Sequence, residues 1–162
     1  YEPDEILNLL HKGIRRSLNQ AMTENRDGMD IALCVIHKER KILKYAGAMN
    51  SLYYIQNNTL TEIKGDRRSI GGSQKEDQRI FTMHKIDITS PTSLYFTTDG
   101  YLDQFSGIDH KKFMAKRFKE YILEIHKKPM SEQRLLLDSN IKDWMDGCDQ
   151  LDDILVIGIE VV

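Results

Sequence analysis

Acidic side chains flank two apolar stretches of the 162-residue chain, and they are its best candidates for chemistry. Asp99 lies two residues after the predicted strand 93–97, whereas Asp152 and Asp153 directly precede the apolar run 154–162. Carboxylate oxygens are the ligands that hard divalent cations such as Mg²⁺ and Mn²⁺ prefer. If the two runs form neighbouring strands, the sequence predicts a cation site where their ends meet at one edge of a sheet.

Each acidic motif also has a simpler interpretation when it is taken alone. Asp99 is followed by Gly100, and an Asp-Gly pair is typical of a turn. Asp152 and Asp153 repel each other unless a cation or a solvated turn relieves the repulsion.

If Asp99 and Asp152 share a metal site, their nearest oxygens should lie about 4 to 7 Å apart, given metal–oxygen distances of about 2.0 to 2.6 Å.

The elements that would position these residues are predicted from hydrophobic spacing and turn signals. Helices are predicted over 3–20, over 111–127 and from 131 to 144, with the Ser131 side chain as the cap of the last one. Strands are predicted over 29–36, 41–46, 51–56, 59–64, 80–88, 93–97 and 154–162. The first and last of these strands are predicted to be buried on both faces, and 80–88 is predicted to pair with 93–97. This order predicts an α+β fold, with helices covering an antiparallel sheet.

Composition excludes several classes of function. The chain has 23 Lys and Arg against 25 Asp and Glu, so its bulk charge of −2 does not favour nucleic acid or an anionic membrane. No apolar run approaches the roughly 18 to 20 residues of a membrane span. Two cysteines are too few for a disulfide framework, which favours a cytoplasmic location. The chain starts at Tyr1, without a methionine and immediately before the helix predicted at 3–20, so we expect it to be a piece of a longer protein.

Other catalytic chemistries find little support in the sequence. Cys34 lies in an apolar strand and Cys148 is followed by acidic residues, so neither is typical of a cysteine-dependent phosphatase. A loop is predicted over 65–78, and its segment 65–72 has glycines and two positive charges but lacks the Gly-Lys-Ser/Thr ending of a nucleotide-binding loop. It is interpreted as a solvated loop, with contact to a substrate phosphate or to a partner as the alternative. The five histidines show no paired spacing, which disfavours zinc.

Four segments occur in the order of a known family: 28–36 (GMDIALCVI), 43–53 (LKYAGAMNSLY), 97–105 (TTDGYLDQF) and 150–154 (QLDDI). Together they resemble the SpoIIE-type branch of the metal-dependent PP2C protein phosphatases, and most closely the output domains of bacterial sensor proteins. The resemblance implies an α-β-β-α sandwich with a dinuclear Mn²⁺ or Mg²⁺ site. It also implies that the domain removes phosphate from serine or threonine on a partner signalling protein, and that an upstream sensor domain controls this activity.

The resemblance assigns roles to individual residues. Asp99 matches the metal-binding Asp of the family's later Asp-Gly motif, and Asp152 matches its C-terminal metal-binding Asp, so both are the predicted catalytic metal ligands. Asp153 is the alternative ligand for the second role, since the doublet leaves the register open by one residue. Asp103 is either an outer ligand or an ordinary surface residue.

The family's earlier acidic motif has no counterpart before the helix at 3–20. Asp27 and Asp30 are the nearest substitutes, but they match no family ligand. Residues 1–162 are therefore expected to form a single domain that is incomplete at its N-terminus. Two functions remain open, a phosphatase domain and a catalytically incomplete regulatory or binding module of the same fold. Strands without cover are expected to make the isolated chain self-associate into a homo-oligomer. Two carboxylate clusters without the family's earlier one are expected to bind metal weakly, because the coordination shell is incomplete.

Overall fold

The computed structural model describes residues 2–72 and 78–161, and the chain divides into two compact units. The first unit comprises residues 1–52 and 63–89, and the second comprises residues 53–62 and 90–162. The predicted α+β class with antiparallel sheets is confirmed. No helix within the described residues is both long and apolar enough to cross a membrane.

The first unit packs a long helix against short sheets. Helix α1 (Pro3–Ser17) begins with a proline and acidic residues in its first turn, which suits the positive end of the helix dipole. Leu7 of this helix is fully buried in a cluster with Ile70 and Phe81. The unit's strands are β1 (Gly28–Met29), β2 (Ile31–His37), β3 (Ile42–Ala48), β6 (Ile70–Gly71) and β7 (His84–Asp87). They form one sheet of order β2-β3-β7 and a two-stranded sheet of β1 and β6.

The second unit carries both acidic motifs. It contains most of β4 (Leu52–Gln56) and β5 (Thr59–Ile63), then β8 (Thr92–Thr97), α2 (Asp99–Asp103), α3 (Met114–Ile125), α4 (Met130–Met145) and β9 (Val156–Val161). The strands form an antiparallel sheet of order β5-β4-β8-β9. Its aromatic core centres on Phe118, whose ring meets those of Tyr53 and Tyr101 edge-on at 5.4 Å.

Several details of the prediction are wrong. Strand β7 pairs with β3, whereas β8 lies between β4 and β9, so the segments 80–88 and 93–97 are not partners. Strands β2 and β9 are edge strands of their sheets, and Ile157 of β9 is 44% exposed. Apolar composition shows that a strand favours burial, but it does not show which element covers it. Helix α4 begins at Met130 without a side-chain cap from Ser131, because Pro129 occupies the N-cap position.

Candidate functional site

Asp99 lies where the buried strand β8 ends. Leu94 and Tyr95 anchor this strand in the core, and the chain then turns through Thr98, whose backbone is extended at φ −75° and ψ 163°. Asp99 is the first residue of the short helix α2 and is exposed. The hydroxyl of Tyr101 anchors α2 by donating a hydrogen bond to the Leu137 carbonyl at 3.1 Å. Burial raises the pKa of Tyr101, so this phenol stays a neutral donor.

Asp152 and Asp153 lie in an irregular segment between α4 and β9, residues 149–155, which we call the acidic loop. Both side chains are exposed. The amide of Asp153 donates to the Asp152 Oδ1 at 2.7 Å, and the Gln150 side chain donates to the Asp152 carbonyl at 2.7 Å. These short-range bonds order the loop around the carboxylates without burying them.

The structure brings the Asp99 segment and the acidic loop together. The Thr98 hydroxyl donates to the Asp153 carbonyl at 2.7 Å, and its backbone amide donates to the Leu155 carbonyl at 3.1 Å. Gly100 also lies against the acidic loop, since a Cβ at that position would lie 2.3 Å from the Asp153 carbonyl oxygen. The contact follows from the sheet, because antiparallel β8 and β9 place the end of one strand beside the start of the other.

Metal ligation by these carboxylates remains a prediction, and the donor set suits it in part. Within residues 2–72 and 78–161, no three His, Cys, Asp or Glu side chains cluster closely enough to hold an ion. Asp99, Asp152 and Asp153 are exposed hard-oxygen donors held on touching segments. Mg²⁺ commonly keeps several waters and uses only one or two protein carboxylates. The residues therefore fit a partly hydrated Mg²⁺ or Mn²⁺ ion.

Two residues of this region received no role from the sequence, although both contact the acidic loop. Thr98 accepts a hydrogen bond from the Leu155 amide at 3.0 Å in addition to its bond to Asp153. Gln104 is fully buried, and its amide group donates to the Asp149 carbonyl at 3.0 Å. Their polar side chains next to the Asp-Gly motif were the only available sequence signal.

The weaker candidates have ordinary structural roles. Asp103 forms an ion pair with Lys112 at 2.8 Å, and both side chains are largely exposed, which matches its surface interpretation. Asp27 accepts a hydrogen bond from Asn25 within the turn after α1. Burial raises the pKa of the Cys34 thiol to about 12, so this thiol is a poor nucleophile at neutral pH.

The loop predicted over 65–78 is only partly described. Residues 73–77 lie outside the described residues, whereas the segment 65–72 of the proposed phosphate or partner contact is described. Ile70 and Gly71 of that segment form the buried strand β6, so the prediction of a solvated loop is wrong there. At the start of the loop, Asp66 accepts hydrogen bonds from the Thr82 amide at 2.6 Å and the Thr82 hydroxyl at 3.1 Å. This carboxylate therefore anchors the loop to the following segment.

The chain resembles proteins of one family. The family described as Stage II sporulation protein E (SpoIIE) matches residues 1–162. The SiaA-PP2C domain of Pseudomonas aeruginosa is 26% identical, with a TM-score of 0.83 over 99% of this chain and 61% of that one. The phosphatase domain of the cell fate determinant SpoIIE from Bacillus subtilis is 11% identical, with a TM-score of 0.58 over 82% of this chain and 56% of that one.

A third structure is PppA of Pseudomonas aeruginosa, a key regulatory component of T6SS. It is 12% identical, with a TM-score of 0.60 over 95% of this chain and 66% of that one. No curated protein matches the sequence. The chain thus spans 56 to 66% of these three solved structures. The likenesses confirm the predicted PP2C-like fold.

Proposed function

The chain belongs to the SpoIIE family, and from this premise we propose that residues 1–162 form part of a single metal-dependent protein serine/threonine phosphatase domain. The proposed substrate is phosphoserine or phosphothreonine on a partner signalling protein in the cytoplasm. An upstream sensor domain in the full-length protein would control the activity. The observation that carries the proposal is the contact between the Asp99 segment and the acidic loop.

Asp99 and Asp152 would hold Mn²⁺ or Mg²⁺, with Asp153 as the alternative to Asp152. When bound, such cations supply an activated water and neutralise charge on the phosphoryl oxygens. The chain's own contribution is to gather carboxylates on two segments that touch and to leave them open to solvent. Gly100 contributes by omitting a side chain where the loop backbone passes. Such chemistry needs no protein nucleophile, which agrees with the raised pKa of Cys34.

The second candidate function is a binding module that keeps the fold without turnover. It is favoured by the small donor set, since no cluster of three potential ligands occurs in the described part of the chain. The two functions differ in one measurable property, which is Mn²⁺-dependent release of phosphate by the full-length protein.

The experiment is the substitution Asp99→Asn in the full-length protein, assayed on a phosphoserine peptide at saturating Mn²⁺. We expect turnover to fall about 100-fold or more, because a catalytic cation contributes several kcal/mol and each 1.36 kcal/mol is tenfold. Asp138→Asn is the matched control, because Asp138 is an exposed carboxylate on α4. Its ion pair in the described part of the chain is with the exposed Lys142, at 2.7 Å. Undiminished activity of the Asp99 variant would refute the assignment, and an inactive wild-type protein that still binds its partner would favour the binding module.

A further inference from the structure

We propose that Thr98 and Gln104 are positioning residues that hold the acidic loop in place and so set the separation of Asp99 from Asp152 and Asp153. The inference rests on the proposed function, because it takes these carboxylates as the ligands of a divalent cation. In this proposal, neither Thr98 nor Gln104 contacts a metal or a substrate. Both act through the backbone of the loop.

Thr98 uses its hydroxyl in both directions. Its Oγ1 donates to the Asp153 carbonyl at 2.7 Å and accepts from the Leu155 amide at 3.0 Å. Only a hydroxyl offers a donor and an acceptor on a side chain this short. The backbone of Thr98 adds a third bond, to the Leu155 carbonyl at 3.1 Å. The residue next to Asp99 therefore fixes the end of the loop that follows Asp152.

Gln104 fixes the other end of the loop. Its Nε2 donates to the Asp149 carbonyl at 3.0 Å, and its Oε1 accepts from the Leu151 amide at 3.3 Å. The backbone carbonyl of Gln104 is itself held by the Phe113 amide and the Trp144 indole, each at 3.0 Å. Because the side chain is fully buried, losing these bonds would leave polar groups without the water that could replace them.

The two anchors bracket Asp152. Gln104 binds residues 149 and 151, and Thr98 binds residues 153 and 155, so the bonds alternate along the loop on both sides of the carboxylate. Residues 149–155 belong to no helix or strand, so no regular hydrogen-bond ladder defines their path. Besides the loop's own hydrogen bonds and the backbone bond from Thr98 to Leu155, the position of the loop therefore depends on these side-chain bonds. Groups that orient metal ligands in this way typically change metal affinity 10- to 100-fold when they are removed.

A matched control separates positioning from general stability. Gln133 is buried to a similar degree, at 2% exposure, and its amide also holds backbone carbonyls, those of Lys128 at 2.7 Å and His126 at 3.2 Å. These carbonyls precede α4, and the Gln133 Oε1 accepts a hydrogen bond from the Tyr95 hydroxyl in the core at 2.8 Å, so none of these partners belongs to the acidic loop. Replacing Gln133 by Leu should therefore destabilise the fold as Gln104→Leu does, without moving the loop.

The test uses the full-length protein and four variants: Thr98→Val, Thr98→Ser, Gln104→Leu and Gln133→Leu. Mn²⁺ affinity is measured by electron paramagnetic resonance of the free ion. We expect about 10- to 100-fold weaker binding in Thr98→Val and Gln104→Leu. Thr98→Ser keeps the hydroxyl and should bind Mn²⁺ as the wild type does, and Gln133→Leu should do the same.

Amide hydrogen exchange of the metal-free protein gives a second readout. Exchange should accelerate at Leu155 in Thr98→Val and at Leu151 in Gln104→Leu, and at neither residue in Gln133→Leu. The inference is overturned if both variants bind Mn²⁺ like the wild type, or if exchange in the loop is unchanged. A wild-type protein that neither binds Mn²⁺ nor hydrolyses phosphoserine would instead refute the proposed function, and loop exchange would still decide whether the two side chains hold the loop.

Discussion

Replacing Gly100 with alanine should damage activity far more than stability. Gly100 is buried on α2, and a Cβ built there lies 2.3 Å from the carbonyl oxygen of Asp153, 2.8 Å from its carbonyl carbon and 3.1 Å from the Asp152 carbonyl oxygen. Ordinary van der Waals contact begins at 3.4 Å. The loop backbone must therefore move by about 1 Å to admit one methyl group.

Two opposing terms set the stability change. Forcing a methyl group into a packed site typically costs about 1–3 kcal/mol. Alanine in place of a helical glycine raises the free energy of unfolding by about 0.5–1 kcal/mol. The clash should prevail, leaving a net loss of up to about 2.5 kcal/mol, or up to roughly 10 °C in Tm for a domain of this size. A 1 Å displacement of groups that must be placed accurately can reduce catalysis about 100-fold, so activity should fall more steeply than stability.

The assay is thermal unfolding of the full-length Gly100→Ala protein together with its Mn²⁺-dependent hydrolysis of a phosphoserine peptide. Gly13→Ala provides the control, because Gly13 is exposed on α1 and a Cβ there meets nothing within 4 Å. This control should be about 0.5–1 kcal/mol more stable than wild type and fully active. Wild-type stability and activity in Gly100→Ala would show that the loop does not press on α2 as described.

The remaining predictions concern the core, the partly buried thiol of Cys34 and an open sheet edge. Phe118→Ala should lower the free energy of unfolding by about 3–5 kcal/mol in urea titration, whereas the 60% exposed Leu135→Ala should change it little; equal effects would contradict the assigned core. The pKa of Cys34 is raised to about 12 from 9.0, so the folded chain retains this proton longer than the unfolded chain, and stability should fall as pH rises from 9 towards 12. Cys34→Ala should remove that part of the slope, and an unchanged slope would contradict the burial of the thiol. The isolated chain should self-associate through the edge strand β9 and bind Mn²⁺ weakly. Ile157→Lys should reduce the association that light scattering measures. A monomeric wild-type chain that binds two Mn²⁺ tightly would refute both expectations.

Local patterns in the sequence determined most of the elements and the position of the acidic motifs along them. The three- and four-residue spacing of apolar side chains predicted α1, which ends at Ser17 rather than at residue 20. Asp99 was predicted at the end of a strand, and the strand β8 does end two residues before it. Such features depend on residues a few positions apart, so they can be read without knowing the rest of the fold. The ordered motifs likewise predicted the family, which is confirmed.

Only the tertiary structure decided which strands are neighbours and what holds the acidic loop. β7 pairs with β3, and β8 lies between β4 and β9, although hydrophobic alternation is compatible with other pairings. Thr98 meets Asp153 across 55 positions, and Gln104 meets Asp149 across 45. A threonine or glutamine beside an acidic motif has no local preference for so distant a carbonyl group. Its partner is chosen when β8 and β9 pair and bring their ends together, because that pairing is a property of the packed chain and not of any short segment.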